Sequence, residues 1–228
     1  MAKYYPIMLD VRNRPALVIG GDRSASEKAA ALQASGANVT IMNATFGPEV
    51  LALHEQHSVR LRQKAYEPGD LVGAFVIIAA TNDKPLIEAL WAEAQERNQL
   101  INIVDVPSRC AFIIPSILRR DQLTIAVSTE GASPSLAKRI RHRLEELFPP
   151  AYGTYLHLAA VVRSHMRKQG LSYDRRDDFF GDYYDSDALA QLEQGNQAEA
   201  VAITAKLLER YNVTVPTTTI TTDMKEAG

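Results

Sequence analysis

The apolar positions of this chain change period repeatedly, and each change marks an element. Ala16 to Ile19 is a continuous apolar run that stops at Gly20-Gly21. From Ser24 to Ser35 alanine and leucine recur at helical spacing (Ala25, Ala29, Leu32), and Gly36 ends the pattern. Asn38 to Met42 alternates and is β-branched, which predicts a second strand; Gly47 to His57, with Pro48 near its start, predicts a helix; Val59 and Leu61 alternate with period two, a third strand. Ala74 to Ala80 is apolar without interruption, as a strand covered on both faces requires. Pro85 to Asn98 carries Leu86, Ile87, Leu90 and Trp91 on one helical face, and Leu100 to Val104 is a fifth strand. Strands alternating with helices predict an α/β fold, a Rossmann-like parallel sheet with right-handed crossovers.

The pattern shifts after Pro107. Phe112 to Ile117 and Gln122 to Ser128 read as an antiparallel pair joined by Leu118 to Asp121. Ser133-Pro134 opens a basic helix that Pro149-Pro150 ends, and the chain stays helical in character to Tyr211, with a charged and aromatic interruption at Tyr173 to Asp187 that reads as a lid or a partner contact. Gln197 to Tyr211 is amphipathic. From Val213 the threonine-rich tail lacks a core pattern and is expected to be mobile. At the other end, Tyr4 to Leu9 is a short apolar segment suited to an edge or a lid beside the first glycine turn.

Composition narrows the class. A length of 228 residues buries a full core, and a net charge of -2 gives no reason for general affinity to nucleic acid or an anionic membrane. No apolar run approaches the roughly 20 residues of a membrane span, and Met1 to Asp10 lacks a basic stretch followed by an apolar one, so no secretory leader is expected. The single cysteine, Cys110, excludes an internal disulfide and a cysteine-based zinc cluster, and a cytoplasmic location is expected. His54, His57, His142, His157 and His165 form no metal-binding motif and read as surface residues.

Candidate chemistry starts at the first turn. A strand, a glycine turn and a helix N-terminus together cradle a phosphate, because unpaired backbone N–H groups converge there. Against the pattern G-x-G-x-x-G/A, Gly20 takes the first place and Ala25 the last, but Asp22 stands at the middle glycine. Two unit charges about 4 Å apart repel by roughly 4 kcal/mol at a surface-like dielectric, enough to abolish micromolar binding. Arg23 could offset the charge by pairing with Asp22 or with the phosphate. The acid that usually meets the ribose about 20 residues on is replaced by Asn43 or Thr45, and neither decides between NAD and NADP. Asp105 follows the fifth strand directly, where open parallel sheets bind ligands. By itself it reads as a turn cap before Pro107.

The order of several local strings resembles the precorrin-2 dehydrogenase and sirohydrochlorin ferrochelatase family, the N-terminal module of siroheme synthases. The carriers are Tyr5-Pro6-Ile7 with Leu9, the Val18 to Lys28 turn, Ala79 to Asp83, Asn102 to Asp105, Phe112 to Ser116, and Ala126 to Thr129 leading into Ser133 to Ala137. The sequence departs from the family at Asp22, usually glycine, and at Glu130, commonly glycine; Thr129 replaces a frequent serine.

The resemblance implies oxidation of precorrin-2 to sirohydrochlorin with NAD, on a homodimer, with ferrous iron insertion a second reaction in some members. It makes Asp105 the catalytic residue. Cofactor positions fall on Gly20, Gly21, Asp22, Arg23, Ser24, Ala44, Thr45 and Thr81, and contacts to the multi-carboxylate tetrapyrrole on Ser116, Arg119, Arg120, Thr129 and Lys138. The divisions implied are a dinucleotide-binding domain (1–113), a dimerisation segment (114–148), a helical domain (149–212) and the tail (213–228). Two other readings stand beside it: a tetrapyrrole-binding or chelatase-only protein whose cofactor is blocked by Asp22, and a nucleotide-sensing regulatory domain.

Overall fold

Side chains along a strand alternate in direction, and the first strand is apolar on both sides. In the computed structural model, which describes residues 4–56 and 59–226, β1 (Pro15–Ile19) is the middle strand of a five-stranded parallel sheet. It pairs on one side with β2 (Asn38–Asn43) and on the other with β4 (Val76–Ala79); β3 (Arg60–Gln63) lies outside β2 and β5 (Leu100–Ile103) outside β4. Ala16 and Val18 join a core with Ala25 and Ala29 of α1 (Arg23–Ala34) and Val50 and Leu53 of α2 (Pro48–Gln56). Leu17 and Ile19 join the opposite core with Ile87, Leu90 and Ala94 of α3 (Lys84–Glu96). The chain thus winds outward from β1 in both directions. Between β1 and β4 the connections leave to opposite faces, and a crevice opens there.

These elements belong to the first of two units, which runs to Ile114. Tyr4 to Leu9 adds no strand to the sheet, and Tyr5, Ile7 and Met8 are exposed. His57 lies outside the described residues, and α2 ends at Gln56.

The second unit starts at Pro115 and spans what the sequence divides into three. It opens with an antiparallel hairpin, β6 (Ser116–Arg120) and β7 (Leu123–Val127). Leu118 to Arg120 belong to the strand, not to the connection: Leu118 is buried, and the reversal needs only Asp121 and Gln122, with Asp121 at a φ of 48°. A short polar residue tolerates that left-handed position. Helices α4 (Pro134–Leu147), α5 (Ala151–Lys168), α6 (Tyr173–Tyr184), α7 (Ala188–Glu193), α8 (Gln197–Arg210) and α9 (Thr217–Glu226) follow.

Two sequence expectations fail here. The aromatic stretch at Tyr173 to Asp187 is no lid: Ser172 caps α6, and Phe179, Phe180 and Tyr183 enter the core. Tyr155 and Tyr183 donate their hydroxyls to each other's backbone carbonyls at 3.0 Å, so both aromatic residues are buried with their polar ends satisfied. Nor is the segment after Val213 a mobile tail. Val213, Val215, Ile220 and Met224 pack into the same core, with the threonines of α9 on its outer positions. Ile220→Ala is expected to lower the unfolding free energy by about 2 to 4 kcal/mol in urea titration; a free tail would lose nothing.

Candidate functional site

The carboxyl ends of β1, β2, β4 and β5 open on one cleft of about 600 Å³. Its floor is the turn after β1. Gly20 has a φ of 144°, and a Cβ there would lie 2.5 Å from the Ala80 carbonyl oxygen and 3.1 Å from the Cβ of Ala25. A Cβ on Gly21 would collide with the Thr45 carbonyl oxygen and the Asn43 side-chain amide. Both glycines are therefore demanded by packing. The Gly47 N–H donates to the Gly21 carbonyl at 2.7 Å and the Ala80 N–H to the Ile19 carbonyl at 2.7 Å, which fixes the turns after β2 and β4 to the turn after β1.

Asp22 is the N-cap of α1: its Oδ1 accepts the Ala25 N–H at 3.0 Å, and its carbonyl accepts the Ser26 N–H at 3.1 Å. The carboxylate thus occupies part of the positive end of the helix, where an anionic ligand would otherwise be attracted. Among the described residues, no acceptor is recorded for the amides of Arg23 and Ser24. Arg23 does not neutralise Asp22; its Nε lies 2.9 Å from Glu27 Oε1 in an exposed pair, and that hydrogen bond raises the guanidinium pKa. Exposed pairs of this kind add little stability.

Gly20, Gly21, Asp22, Ser24, Thr45, Thr81 and Asp105 all line the cleft. Arg23 and Ala44 do not; Ala44 is exposed, and its carbonyl accepts from Gln63 Nε2 at 3.3 Å. Thr81 Oγ1 accepts the Asp83 N–H at 3.2 Å, and Asp83 in turn caps α3. Asp105 is exposed, with a φ of 61° just past β5. Asn43, Phe46, Gly47 and Asn82 also line the cleft. Of these only Asn43 is singled out by sequence, although the strand-end rule that selects Asp105 would have selected Gly47 and Asn82 too.

The residues implied for the tetrapyrrole lie in the second unit. Ser116 opens β6, paired with Val127, and Arg119 follows on the same strand. Arg120 Nε donates to the Phe148 carbonyl at 2.9 Å, closing the end of α4. Thr129 Oγ1 accepts the N–H of Ser133, the cap of α4, at 3.1 Å, and Lys138 is exposed on that helix. No group of three metal-binding side chains occurs among the described residues. His54 Nδ1 lies 2.7 Å from the Val59 carbonyl, and His165 Nε2 lies 2.7 Å from Asp223. Cys110 is half-buried; burial pushes its thiol pKa up, while the Ile103 N–H, donated to its Sγ at 3.2 Å, acts in the opposite sense.

A parallel sheet in this order, with a cleft at its switch point over a glycine turn and a helix N-terminus, defines a Rossmann-like dinucleotide-binding domain. Residues 7–116 match a family model described as NAD(P)-binding, and residues 120–147 match the model "Sirohaem biosynthesis protein central". The chain is 33% identical over 209 residues to a siroheme synthase of Zymomonas mobilis, covering 92% of this chain and 44% of that one. It is 36% identical over 195 residues to a siroheme synthase of Methylobacillus flagellatus, covering 86% and 42%. It therefore spans about two fifths of the length of these relatives. A solved structure, "SirC, precorrin-2 dehydrogenase", superposes with a TM-score of 0.74 at 27% identity, covering 89% of this chain and 100% of the other. The chain is thus related to siroheme synthases over part of their length and to a precorrin-2 dehydrogenase over the whole length of that protein.

Removing the cap isolates the structural share of Asp22. Asp22→Ala is expected to lower the unfolding free energy by about 1 kcal/mol in chemical denaturation; an unchanged value would show that the carboxylate does not hold the helix end in solution.

Proposed function

We propose that this protein oxidises precorrin-2 to sirohydrochlorin, with NAD bound in the cleft of the first unit. The observation that carries the reading is that Asp105 shares one cleft with the Gly20-Gly21 turn and the N-terminus of α1. A dinucleotide fits these residues: the glycines let the pyrophosphate meet backbone, and the Arg23 and Ser24 amides are available to it. NAD, when bound, supplies the hydride acceptor. Dehydrogenation removes a hydride and a proton from the macrocycle, and the Asp105 carboxylate takes the proton. Ile19, Phe46, Ala80, Leu86 and Val104 supply the apolar part of the cleft lining.

The tetrapyrrole's carboxylates are recognised by Arg119 and Lys138, with Ser116 and Thr129 donating hydroxyls and Arg120 holding α4 in place. The protein acts as a homodimer in the cytoplasm; no helix among the described residues is long and apolar enough to cross a membrane, which accords with that location. Ferrous iron is a further substrate, with Asp105 accepting the pyrrole protons as the metal enters. One observation favours a second reading. The Asp22 carboxylate on the α1 terminus would weaken an anionic cofactor, which suits a tetrapyrrole-binding or chelatase-only protein.

Titration of the purified protein with NAD and NADP, followed by an assay of precorrin-2 oxidation, separates the two. Folded protein that binds neither nucleotide overturns the dehydrogenase. Asp105→Ala is expected to keep NAD affinity and lose about 100-fold or more in turnover; unchanged turnover removes Asp105 from the mechanism. Asp22→Gly is expected to tighten NAD binding by about tenfold in the same titration, since it withdraws a charge facing the phosphates.

A further inference from the structure

β5 reads Leu-Ile-Asn-Ile, with a single polar residue. Ile101 and Ile103 enter the core under α3, while Asn102, buried like them, faces the other side of the sheet, where Leu100, Val104 and Phe112 pack. A buried amide is costly unless it is bonded. This one is bonded to the stretch that returns beside β5: Nδ2 donates to the Phe112 carbonyl at 2.9 Å and to Cys110 Sγ at 3.5 Å. Cys110 carries the contact on to the strand end, since its Sγ accepts the Ile103 N–H at 3.2 Å and lies 3.3 Å from the carbonyl oxygens of both Ile103 and Val106. Those two residues bracket a tight turn. It is closed by the Val106 N–H, which donates to the Ile103 carbonyl at 3.1 Å, and Asp105 is its third residue, at a φ of 61°. A residue with a Cβ keeps that left-handed conformation only where neighbouring contacts hold it. The Asp105 carboxylate has no hydrogen-bond or ion-pair partner of its own among the described residues, so the backbone turn sets where it stands in the cleft wall.

We propose that Asn102 is a positioning residue for the oxidation: through Cys110 and the Phe112 carbonyl it holds the Ile103 to Val106 turn, and the turn holds Asp105 at the cleft. The inference rests on the proton-accepting role proposed for Asp105. An apolar side chain at position 102 would suit the sheet's core, but it would leave the Phe112 carbonyl without its donor and the Cys110 sulfur free to move. Asp105 would then sample other orientations, and a catalytic group displaced by about 1 Å can lose most of its effect. Asn102 and Cys110 do not line the cleft, so their effect falls on turnover and not on binding.

The test is a double-mutant cycle on the full chain. Asn102→Ala is expected to leave the NAD dissociation constant and the KM for precorrin-2 within about twofold while lowering kcat about tenfold. Introduced beside Asp105→Ala, it is expected to lower kcat by less than about twofold more, because the group it positions is already gone. Cys110→Ala cuts only the sulfur contact and is expected to lower kcat about threefold with the same dependence on Asp105; it carries the cycle if Asn102→Ala does not fold. Independently of activity, hydrogen exchange at the Val106 amide is expected to quicken about tenfold in Asn102→Ala, with the β1 and β4 amides unchanged. An unchanged kcat or unchanged Val106 exchange in Asn102→Ala overturns the proposal, as does an equal fall of kcat with and without Asp105. Failure of the unaltered protein to bind NAD or to turn over precorrin-2, or unchanged turnover in Asp105→Ala, would instead overturn the reading of Asp105 as the proton acceptor.

Discussion

The turn at Gly20-Gly21 admits no side chain, and the arrangement of the cleft follows from that constraint. One glycine lets the turn after β4 approach through Ala80, and the other lets the turn after β2 approach through Asn43 and Thr45. Hydrogen bonds then lock each approach, from Ala80 to Ile19 and from Gly47 to Gly21. A methyl group at either position would push one wall of the cleft away. Backbone geometry at two residues thus sets the positions of side chains that are far apart in sequence, Thr45 and Thr81 among them.

Asp22 is a compromise inside that geometry. A third glycine would leave the end of α1 open to an anion, whereas the aspartate satisfies the Ala25 amide internally. Helix stability and anion affinity draw on the same positive end of the dipole, so a gain in one is a loss in the other. Arg23 does not resolve the competition, because Glu27 lies one helical turn away and engages it. The amides of Arg23 and Ser24 remain the part of the helix end that a phosphate can reach without displacing the cap.

Where sequence and structure agree, a simple period carries the information. The uninterrupted apolar run ending at Ala80 and the glycine stop after Ile19 sufficed to place β4 and β1, because strands buried on both faces have no polar alternative. The first unit and most of the cleft's contributors were legible on that basis. Less legible was the second unit. Its last helix has only Ile220 and Met224 as buried members among threonines, too few to stand out as a pattern, yet enough to be held once α5 and α8 supply the opposing wall. Tyr173 to Asp187 misleads for a related reason: its aspartates and arginines mask a helical face that three aromatic residues carry into the core. Asp22 was visible as an anomaly, but its cap bond depends on a dihedral choice that composition does not specify.

The cleft therefore separates two tasks that a dinucleotide site often combines in charged residues. At the end of α1 the decisive quantity is net charge, and the chain places a carboxylate there that opposes a phosphate while stabilising the helix. At the end of β2 the decisive quantity is hydrogen-bond polarity, and the chain places an uncharged amide whose orientation a backbone carbonyl dictates. Replacing a glycine by an acid at the first position adds repulsion to every phosphate ligand alike. Gly21 stands between the two: it precedes Asp22 in the chain, and its lack of a side chain lets the Asn43 amide pack over it.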